Sequence, residues 1–298
     1  MSAVKYRGRF APSPTGLLHF GSLVAAVGSY LEAKINQGLW LLRIEDLDPP
    51  RAMSGAAETI PRVLEAYGFE WDGEILYQSQ RSDHYETALA RLRESGHLYP
   101  CACSRKEIAD SAMHGLEGPI YPGTCRNGLH GREARAWRLR TTMETVSFTD
   151  AVQGQQSQML ERDFGDFILK RADGLYAYQL AVVVDDAAQG ITHIVRGADL
   201  LDSTPRQIWL QRLLSLPTPH YAHLPVVVNA HGEKLSKQTL AQPLGTAQPA
   251  SALWEALVFL GQQPPTELRS DLASLWQWAK AHWQLDAVPK SRVIMPPS

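Results

Sequence analysis

The sequence is poor in cysteine, has no long apolar run and carries almost no excess of either charge. Its 298 residues include only three cysteines, all between positions 101 and 125, which is unlike the disulfide framework of a secreted protein. No apolar stretch approaches the roughly 20 residues of a membrane-spanning helix, and the N-terminus carries no apolar signal segment. We therefore expect a cytoplasmic protein without membrane contacts.

The formal net charge of −2 excludes a uniformly basic nucleic-acid-binding surface but allows a local patch. The densest basic stretch has five arginines between positions 126 and 140. Arg138 and Arg140 alternate there with Trp137 and Leu139, a pattern that predicts a strand with one cationic face. That face is a candidate contact for a phosphate backbone, and a solvated surface is the alternative.

The segment 7–22, RGRFAPSPTGLLHFGS, carries most of the chemistry. Pro12 and Pro14 neither continue a β-ladder nor sit inside a helix, so they impose a stiff loop. Apolar residues then recur at spacings of three and four up to about Gln37, which predicts a helix that opens at residues 19–22. The free N–H groups and positive dipole end of such a helix suit phosphate. A proline- and glycine-rich loop before an ordinary core helix is the alternative.

A second motif, Lys234-Leu235-Ser236-Lys237, follows an apolar strand predicted over residues 224–228. Two lysines in a flexible loop can neutralise the charge that develops on a transferring phosphorus centre when the loop closes. His19 can donate to a phosphate oxygen, and Gly21 lets a nucleotide approach the backbone closely. Together the two motifs indicate an adenylate-forming enzyme.

The order of elements predicts the fold class. Residues 39–44 form a nearly continuous apolar run, as in a buried parallel strand, and helical spacing predicts helices over about 57–67 and 82–95. Strand, helix and strand in succession favour a doubly wound α/β sheet, which binds ligands beyond the carboxyl ends of its strands. Glu45 lies at such an end, where it can pair with an α-ammonium group.

The two motifs resemble the HIGH and KMSKS elements of class I aminoacyl-tRNA synthetases, and the first is most similar to the glutamyl branch. The resemblance covers roughly residues 5–240. It implies a Rossmann-type doubly wound parallel sheet as the nucleotide-binding domain, with an inserted zinc-containing subdomain and a short helical C-terminal part. We expect the first half of the catalytic domain at 1–98, the zinc-binding insertion at 99–170, the second half at 171–215, and the lysine loop with a short helical region at 216–298.

The resemblance also implies roles for single residues. The catalytic residues would be His19, Lys234 and Lys237. L-Glutamate would be bound by Arg9, Ala11, Ser13, Glu45, Tyr178 and Arg196. ATP, with Mg²⁺, would be bound by Pro12, His19, Gly21, Ser22, Lys234, Ser236 and Lys237. Arg9 or Arg196 facing the side-chain carboxylate would favour glutamate over glutamine by charge pairing. In the alternative interpretation Tyr178 is a core residue and Arg196 forms a surface ion pair.

The three cysteines form a candidate metal site. Cys101-x-Cys103 places two sulfurs within reach of one ion, and Cys125 returns after a loop rich in glycine and proline. Zinc normally takes four ligands, and from the residues alone the fourth is Tyr121, His114 or His130. The resemblance implies Tyr121 and one structural zinc ion (Zn²⁺) per chain. Free thiols in a reducing compartment are the alternative.

Only 60 residues follow Gln238, and their apolar spacing predicts two amphipathic helices. We therefore expect no anticodon-binding domain of the kind that full glutamyl-tRNA synthetases carry. This departure resembles the glutamyl-queuosine tRNA(Asp) synthetases, and it implies a monomer that attaches glutamate to queuosine at the wobble position of the tRNA(Asp) anticodon. The alternatives are a compact glutamyl-tRNA synthetase that charges a tRNA 3′ end, a nucleotidyltransferase that does not act on tRNA, and a catalytically silent tRNA-binding paralogue.

The role given to Lys237 leads to a first prediction. Lys237→Ala lowers the rate of glutamate-dependent ATP–pyrophosphate exchange by about a hundredfold or more, as the loss of an oxyanion donor does. Lys106→Ala, outside both motifs, is the matched control and keeps the rate of the unchanged protein. An unaltered exchange rate in Lys237→Ala would refute this role for the lysine.

Overall fold

The computed structural model describes residues 5–111, 114–115, 118–229 and 242–295. Its strands are β1 (Arg7–Phe10), β2 (Leu39–Ile44), β3 (Leu76–Tyr77), β4 (Leu98–Cys101), β5 (His114–Gly115), β6 (Gly118–Pro119), β7 (Ala136–Leu139), β8 (Thr145–Asp150), β9 (Gly154–Met159), β10 (Phe167–Lys170), β11 (His193–Gly197), β12 (His220–Leu224), β13 (Val226–Val227) and β14 (Val293–Ile294). Its helices are α1 (Phe20–Ile35), α2 (Ala56–Ala66), α3 (Ser82–Glu94), α4 (Arg105–Ser111), α5 (Leu160–Asp163), α6 (Tyr178–Ala188), α7 (Thr204–Leu213), α8 (Pro249–Phe259) and α9 (Leu272–His282).

Parallel strands form the centre of the molecule. β1, β2 and β3 are hydrogen-bonded in that order, and both pairings are parallel. β11 pairs with β12 in parallel, and β8 and β9 extend this second sheet. The Thr192 N–H donates to the Arg7 carbonyl at 2.9 Å, so β1 and β11 lie side by side where the two sheets meet. The predicted α/β class with a parallel nucleotide-binding sheet is confirmed.

Helix α1 packs in the main core because one side of it is continuously apolar. Leu23, Val27 and Leu31 are buried, and Tyr30 lies edge-on against Trp40 of β2, with ring centroids 5.0 Å apart. Fully burying a side chain of this size contributes about 1.5–3 kcal/mol. The helix ends at Ile35, two residues before the predicted limit, because Gln37 takes a left-handed backbone conformation with φ of 51°.

A separate antiparallel sheet is formed by β4, β7 and β10, with β7 in the middle. Beside it lies a small core of side chains from Tyr99, Cys101, Ala102, Tyr121 and Cys125. β8 and β9 lie between β7 and β10 in sequence, but β8 pairs with β12 of the second parallel sheet. The chain therefore leaves the antiparallel sheet after β7, adds two strands to the second parallel sheet, and returns through β10 before it reaches α6.

The C-terminal helices cover α1 from the side opposite the sheet. In α9, Trp276 contacts the Tyr30 ring, and just beyond it the Trp283 indole donates to Glu32 of α1 at 2.6 Å. α8 and α9 confirm the two helices predicted after the lysine loop. Among the described residues, no helix combines the length and apolar character needed to cross a bilayer.

Candidate active site

A cleft of about 850 Å³ opens where β1, β2 and β11 end and helix α1 begins. Phe10 ends β1, Glu45 directly follows β2 and Gly197 ends β11, so the cleft lies at the carboxyl ends of these strands, as expected for an open α/β sheet. Its lining includes every described residue that the sequence assigned to glutamate or ATP, namely Arg9, Ala11, Pro12, Ser13, His19, Gly21, Ser22, Glu45, Tyr178 and Arg196. Lys234, Ser236 and Lys237 lie outside the described residues.

The start of α1 gives the cleft a concentration of backbone N–H groups. His19 is the N-cap residue, and its backbone is extended, with φ of −127° and ψ of 176°. The Ser22 hydroxyl accepts a hydrogen bond from the His19 N–H at 3.5 Å, as part of a capping box. Gly21 and Ser22, in the first turn, line the cleft. The positive end of the helix dipole therefore borders the cleft, where it suits a phosphate group.

Four buried charges lie below one side of the cleft. Asp186 of α6 accepts hydrogen bonds from Arg9 at 3.1 and 3.4 Å and from Arg43 at 2.7 Å. Arg43 also donates to Glu45 at 3.2 Å. Burial raises the pKa of the Asp186 carboxyl, but the guanidiniums of Arg43 and Arg9 outweigh burial and hold it below its usual range. The formal charges of these four groups cancel.

Arg196, by contrast, pairs with no carboxylate among the described residues. Its side chain is buried, and Nη2 donates to the Thr204 hydroxyl and the Gln207 amide oxygen, both at 2.8 Å. Nη1 donates to the Tyr178 hydroxyl at 3.3 Å, at the wall of the cleft. Arg196 is thus not a surface ion pair: it is a buried guanidinium at the cleft that forms no ion pair with a carboxylate among the described residues.

The three cysteines come together as their spacing predicts. Their sulfur atoms lie within 4.8 Å of one another, and those of Cys103 and Cys125 are 3.6 Å apart. The Tyr121 hydroxyl lies 3.5 Å from the Cys101 sulfur and 3.8 Å from that of Cys103. Sulfurs around a tetrahedral zinc ion are about 3.8 Å apart, given Zn–S bonds of about 2.3 Å. The donor set therefore fits zinc.

The candidates for the fourth zinc ligand are Tyr121, His114 and His130. The structure describes the backbone of His114 but not its side chain, and the imidazole of the exposed His130 is not part of the described cluster. Burial, followed by the neighbouring thiols, raises the pKa of the Tyr121 phenol. Among the described candidates, Tyr121 is the one whose side-chain oxygen lies beside the sulfurs.

The prediction of a cationic strand face at Arg138 is wrong. Arg138 is buried, donates to the Cys101 sulfur at 3.3 Å and to the Asp166 carbonyl at 2.7 Å, and lies over the Tyr121 ring. Arg126 pairs with Asp166 and Glu161. Arg126 turns inward because the Asp166 carboxylate is buried and needs a positive partner, whereas Arg138 is held inside by the Cys101 sulfur and the Asp166 backbone carbonyl.

Comparison with known proteins places this architecture in a family. Residues 5–267 match the family model of the class I tRNA synthetases (E and Q), catalytic domain. The chain belongs to this family. It is 61% identical to a glutamyl-Q tRNA(Asp) synthetase of Dechloromonas aromatica (strain RCB) over 98% of the chain and 99% of the relative. It is 59% identical to a glutamyl-Q tRNA(Asp) synthetase of Chromobacterium violaceum over 99% of both. The resemblance stated from the two motifs is confirmed.

Solved structures show the same fold. A glutamate-tRNA synthetase of Elizabethkingia anophelis superposes with a TM-score of 0.78 at 24% identity, over 97% of this chain and 67% of that one. A glutamate tRNA ligase of Elizabethkingia meningosepticum, solved with its amino acid, gives 0.78 at 23% identity, over 99% and 67%. As a class I tRNA synthetase the protein is a ligase, which confirms the expected enzyme class.

The sequence did not predict roles for Arg43 and Asp186, which hydrogen-bond to the cleft residues Glu45 and Arg9. Arg43 is two positions from Glu45 at the end of β2, and Asp186 and its neighbour Asp185 interrupt an otherwise apolar run. A carboxylate within an apolar helix can be recognised from the sequence as a candidate buried ion pair, because a buried charge requires a partner. The identity of that partner depends on α6 packing against β1 and β2, which local spacing does not show.

Asp186 gives the second prediction. Asp186→Asn leaves two buried guanidiniums facing a neutral amide, so we expect a loss of about 3 kcal/mol in the free energy of unfolding. The control is Asp173→Asn, which weakens an exposed pair with Arg171 and leaves the free energy of unfolding nearly unchanged. Urea unfolding of both variants measures the difference, and equal losses would contradict the importance assigned to the buried pair.

Proposed function

We propose that the protein activates L-glutamate with ATP and transfers it to queuosine at the wobble position of the tRNA(Asp) anticodon. The observation that carries the first step is the buried Arg196 guanidinium at the cleft, which forms no ion pair with a carboxylate among the described residues. The side-chain carboxylate of a ligand can form that ion pair. The names of the full-length relatives support the second step.

Glutamate has one ammonium group and two carboxylates, and the cleft offers a partner for each kind of charge. Glu45 uses one carboxylate oxygen for Arg43, which leaves the other for the α-ammonium group. Arg196 and the Tyr178 hydroxyl face the side-chain carboxylate, and Arg9, held by Asp186, adds positive potential. Glutamine lacks that carboxylate and would leave Arg196 unpaired, so charge selects glutamate.

ATP occupies the side of the cleft next to α1. Pro12, Gly21 and Ser22 contact the nucleotide, and His19 donates to a phosphate oxygen. The chain between β13 and Pro243 carries the two lysines. Val227 of β13 lines the cleft and Pro243 pairs with His19, so the lysine motif is attached on both sides to residues beside the cleft. Lys234 and Lys237 therefore act on the phosphates, together with Ser236 and Mg²⁺.

The reaction has two steps. An α-carboxylate oxygen of glutamate attacks the α-phosphorus of ATP, and the bond to the bridging oxygen breaks with release of pyrophosphate. The helix N-terminus, His19 and the two lysines stabilise the developing negative charge, and alignment of the two substrates lowers the barrier further. A hydroxyl group of queuosine then attacks the glutamyl carbonyl carbon, loses its proton, and displaces AMP.

The proposal also covers the localisation, the oligomeric state and the domain boundaries. We propose a cytoplasmic monomer, with the catalytic domain at 1–98 and 171–215, the insertion at 99–170 and the lysine loop with the helical region at 216–298. The relatives named above have almost the same length as this chain, since each alignment covers 99% of the relative.

The position of the attached glutamate tests the proposal, and it is our third prediction. The protein is incubated with labelled glutamate, ATP, Mg²⁺ and total tRNA, and the tRNA is digested to locate the label. We expect label on an anticodon nucleotide of tRNA(Asp), since the acceptor is a hydroxyl group of queuosine. Total tRNA from cells unable to make queuosine is the matched control and takes up no label.

Each other outcome identifies a different protein. Label on the 3′-terminal adenosine would mean a compact charging enzyme and overturn the proposed acceptor. Absence of label together with absence of glutamate-dependent ATP–pyrophosphate exchange would indicate a catalytically silent tRNA-binding protein.

We further propose one structural zinc ion bound by Cys101, Cys103, Cys125 and Tyr121. The distances among the three sulfurs and the phenol support this set. The ion would join the end of β4 to the loop that carries Cys125, and its charge would displace the phenol proton of Tyr121. No acid–base partner lies in this small core, so the role is structural.

The fourth prediction concerns metal content. The purified protein contains about one zinc per chain by elemental analysis. Tyr121→Phe weakens zinc retention during titration with a chelator, whereas the control His130→Ala, which alters an exposed ring, retains zinc like the unchanged protein. An intact fold without zinc would contradict the site, and the reverse order of the two variants would move the fourth ligand to His130.

A further inference from the structure

Arg196 begins a buried series of hydrogen bonds that crosses three adjacent strands. Arg196 of β11 lies opposite His223 of β12 in the parallel register, and Asp150 ends the next strand, β8. The Arg196 Nε–H donates to His223 Nε2 at 3.0 Å. On the other side of the ring, His223 Nδ1 lies 2.6 Å from an Asp150 carboxylate oxygen. His223 has no exposed surface, and Asp150 is 2% exposed.

This geometry determines which ring nitrogen of His223 carries the proton. A carboxylate accepts hydrogen bonds, so Nδ1 must bear the proton that it donates to Asp150. A guanidinium only donates, so Nε2 must present its lone pair to Arg196. Burial lowers the pKa of the His223 ring to about 4, so the ring is neutral near pH 7 and this lone pair stays available.

Asp150 is itself held rigidly. It also accepts hydrogen bonds from the backbone N–H groups of Val152 at 3.1 Å, Gln153 at 2.9 Å and His223 at 3.0 Å. The ring also contacts Thr204, whose hydroxyl lies 3.2 Å from Nε2, and stacks on the ring of Tyr221. These hydrogen bonds fix the position of the Asp150 carboxylate, and the carboxylate in turn orients the His223 imidazole.

The two sides of the guanidinium have different partners. Nε and Nη2 are bound by His223, Thr204 and Gln207, whereas Nη1 reaches Tyr178 at the cleft. We propose that His223, oriented by Asp150, is a positioning residue that fixes the guanidinium plane of Arg196 so that its Nη1 end meets the side-chain carboxylate of the bound amino acid. This role rests on the glutamate specificity proposed above.

A matched pair of variants isolates the hydrogen bond to Arg196. His223→Met and His223→Gln have side chains of similar length, and both remove the Nδ1–H that Asp150 accepts. Only the glutamine has an amide oxygen near the place of Nε2, where it can accept from the Arg196 Nε–H. Any general loss of stability therefore affects both variants, and a difference in glutamate binding reports the contact with Arg196.

Glutamate-dependent ATP–pyrophosphate exchange gives the fifth prediction. In His223→Met the KM for glutamate rises about tenfold, the effect of losing one hydrogen bond to a charged group. The KM for ATP changes by less than about twofold, because the lost contact concerns the amino acid alone. In His223→Gln the KM for glutamate stays within about threefold of the unchanged protein. Equal values for glutamate in the two variants would overturn the positioning role.

Two further measurements cover the cases in which the methionine variant does not fold or the unchanged protein shows no exchange. If the methionine variant does not fold, Asp150→Asn replaces it, because an amide that donates to Nδ1 permits the proton on Nε2 that opposes Arg196. An unchanged KM for glutamate in that variant would overturn the role. If the unchanged protein shows no glutamate-dependent exchange, the proposed function fails. Calorimetric binding of glutamate then compares the variants, and equal Kd values would overturn this inference as well.

Discussion

The compensation of buried charge is the constraint on which the cleft depends. A charge removed from water is tolerated only with partners close by, and Asp186 supplies them for Arg9 and Arg43 together. This pairing fixes α6 against the ends of β1 and β2 and holds Glu45 in place through Arg43. Arg196, also buried at the cleft, forms no ion pair with a carboxylate among the described residues. The proposed selectivity for glutamate depends on this guanidinium.

The same constraint explains why Arg126 of the arginine-rich segment turns inward. Asp166 is buried and accepts hydrogen bonds from Arg126, Tyr99 and the backbone and hydroxyl of Thr141. Its pKa is lowered, because these partners outweigh the effect of burial. A cluster of arginines in a sequence is thus as compatible with one buried carboxylate as with a bound phosphate backbone. The decisive observation is the acid, which lies 40 positions from Arg126 and 28 positions from Arg138 in sequence and is brought close by the pairing of β10 with β7.

Much of the local structure was predictable from short-range patterns. The strand at residues 39–44 and the helices near 57–67 and 82–95 appear within about one residue of their predicted limits, because apolar spacing and the glycines that follow the helices determine them locally. The motif residues of the first segment were also found together at the cleft. Residues that act through long-range hydrogen bonds were not: Arg43, Asp150 and His223 belong to no local pattern. Arg43 gains its role from α6, and Asp150 and His223 gain theirs from neighbouring strands.

The sequence by itself determined the family, the α/β class, the positions of most helices and strands, and the identity of the residues around the N-terminal end of α1. It could do so because motif spacing and hydrophobic period are properties of neighbouring residues. Only the tertiary structure decided which arginine remains unpaired at the cleft, which arginines turn inward around Asp166, and which imidazole holds Arg196. Those outcomes depend on the register between strands far apart in sequence, where a shift of one residue exchanges every buried side chain for an exposed one.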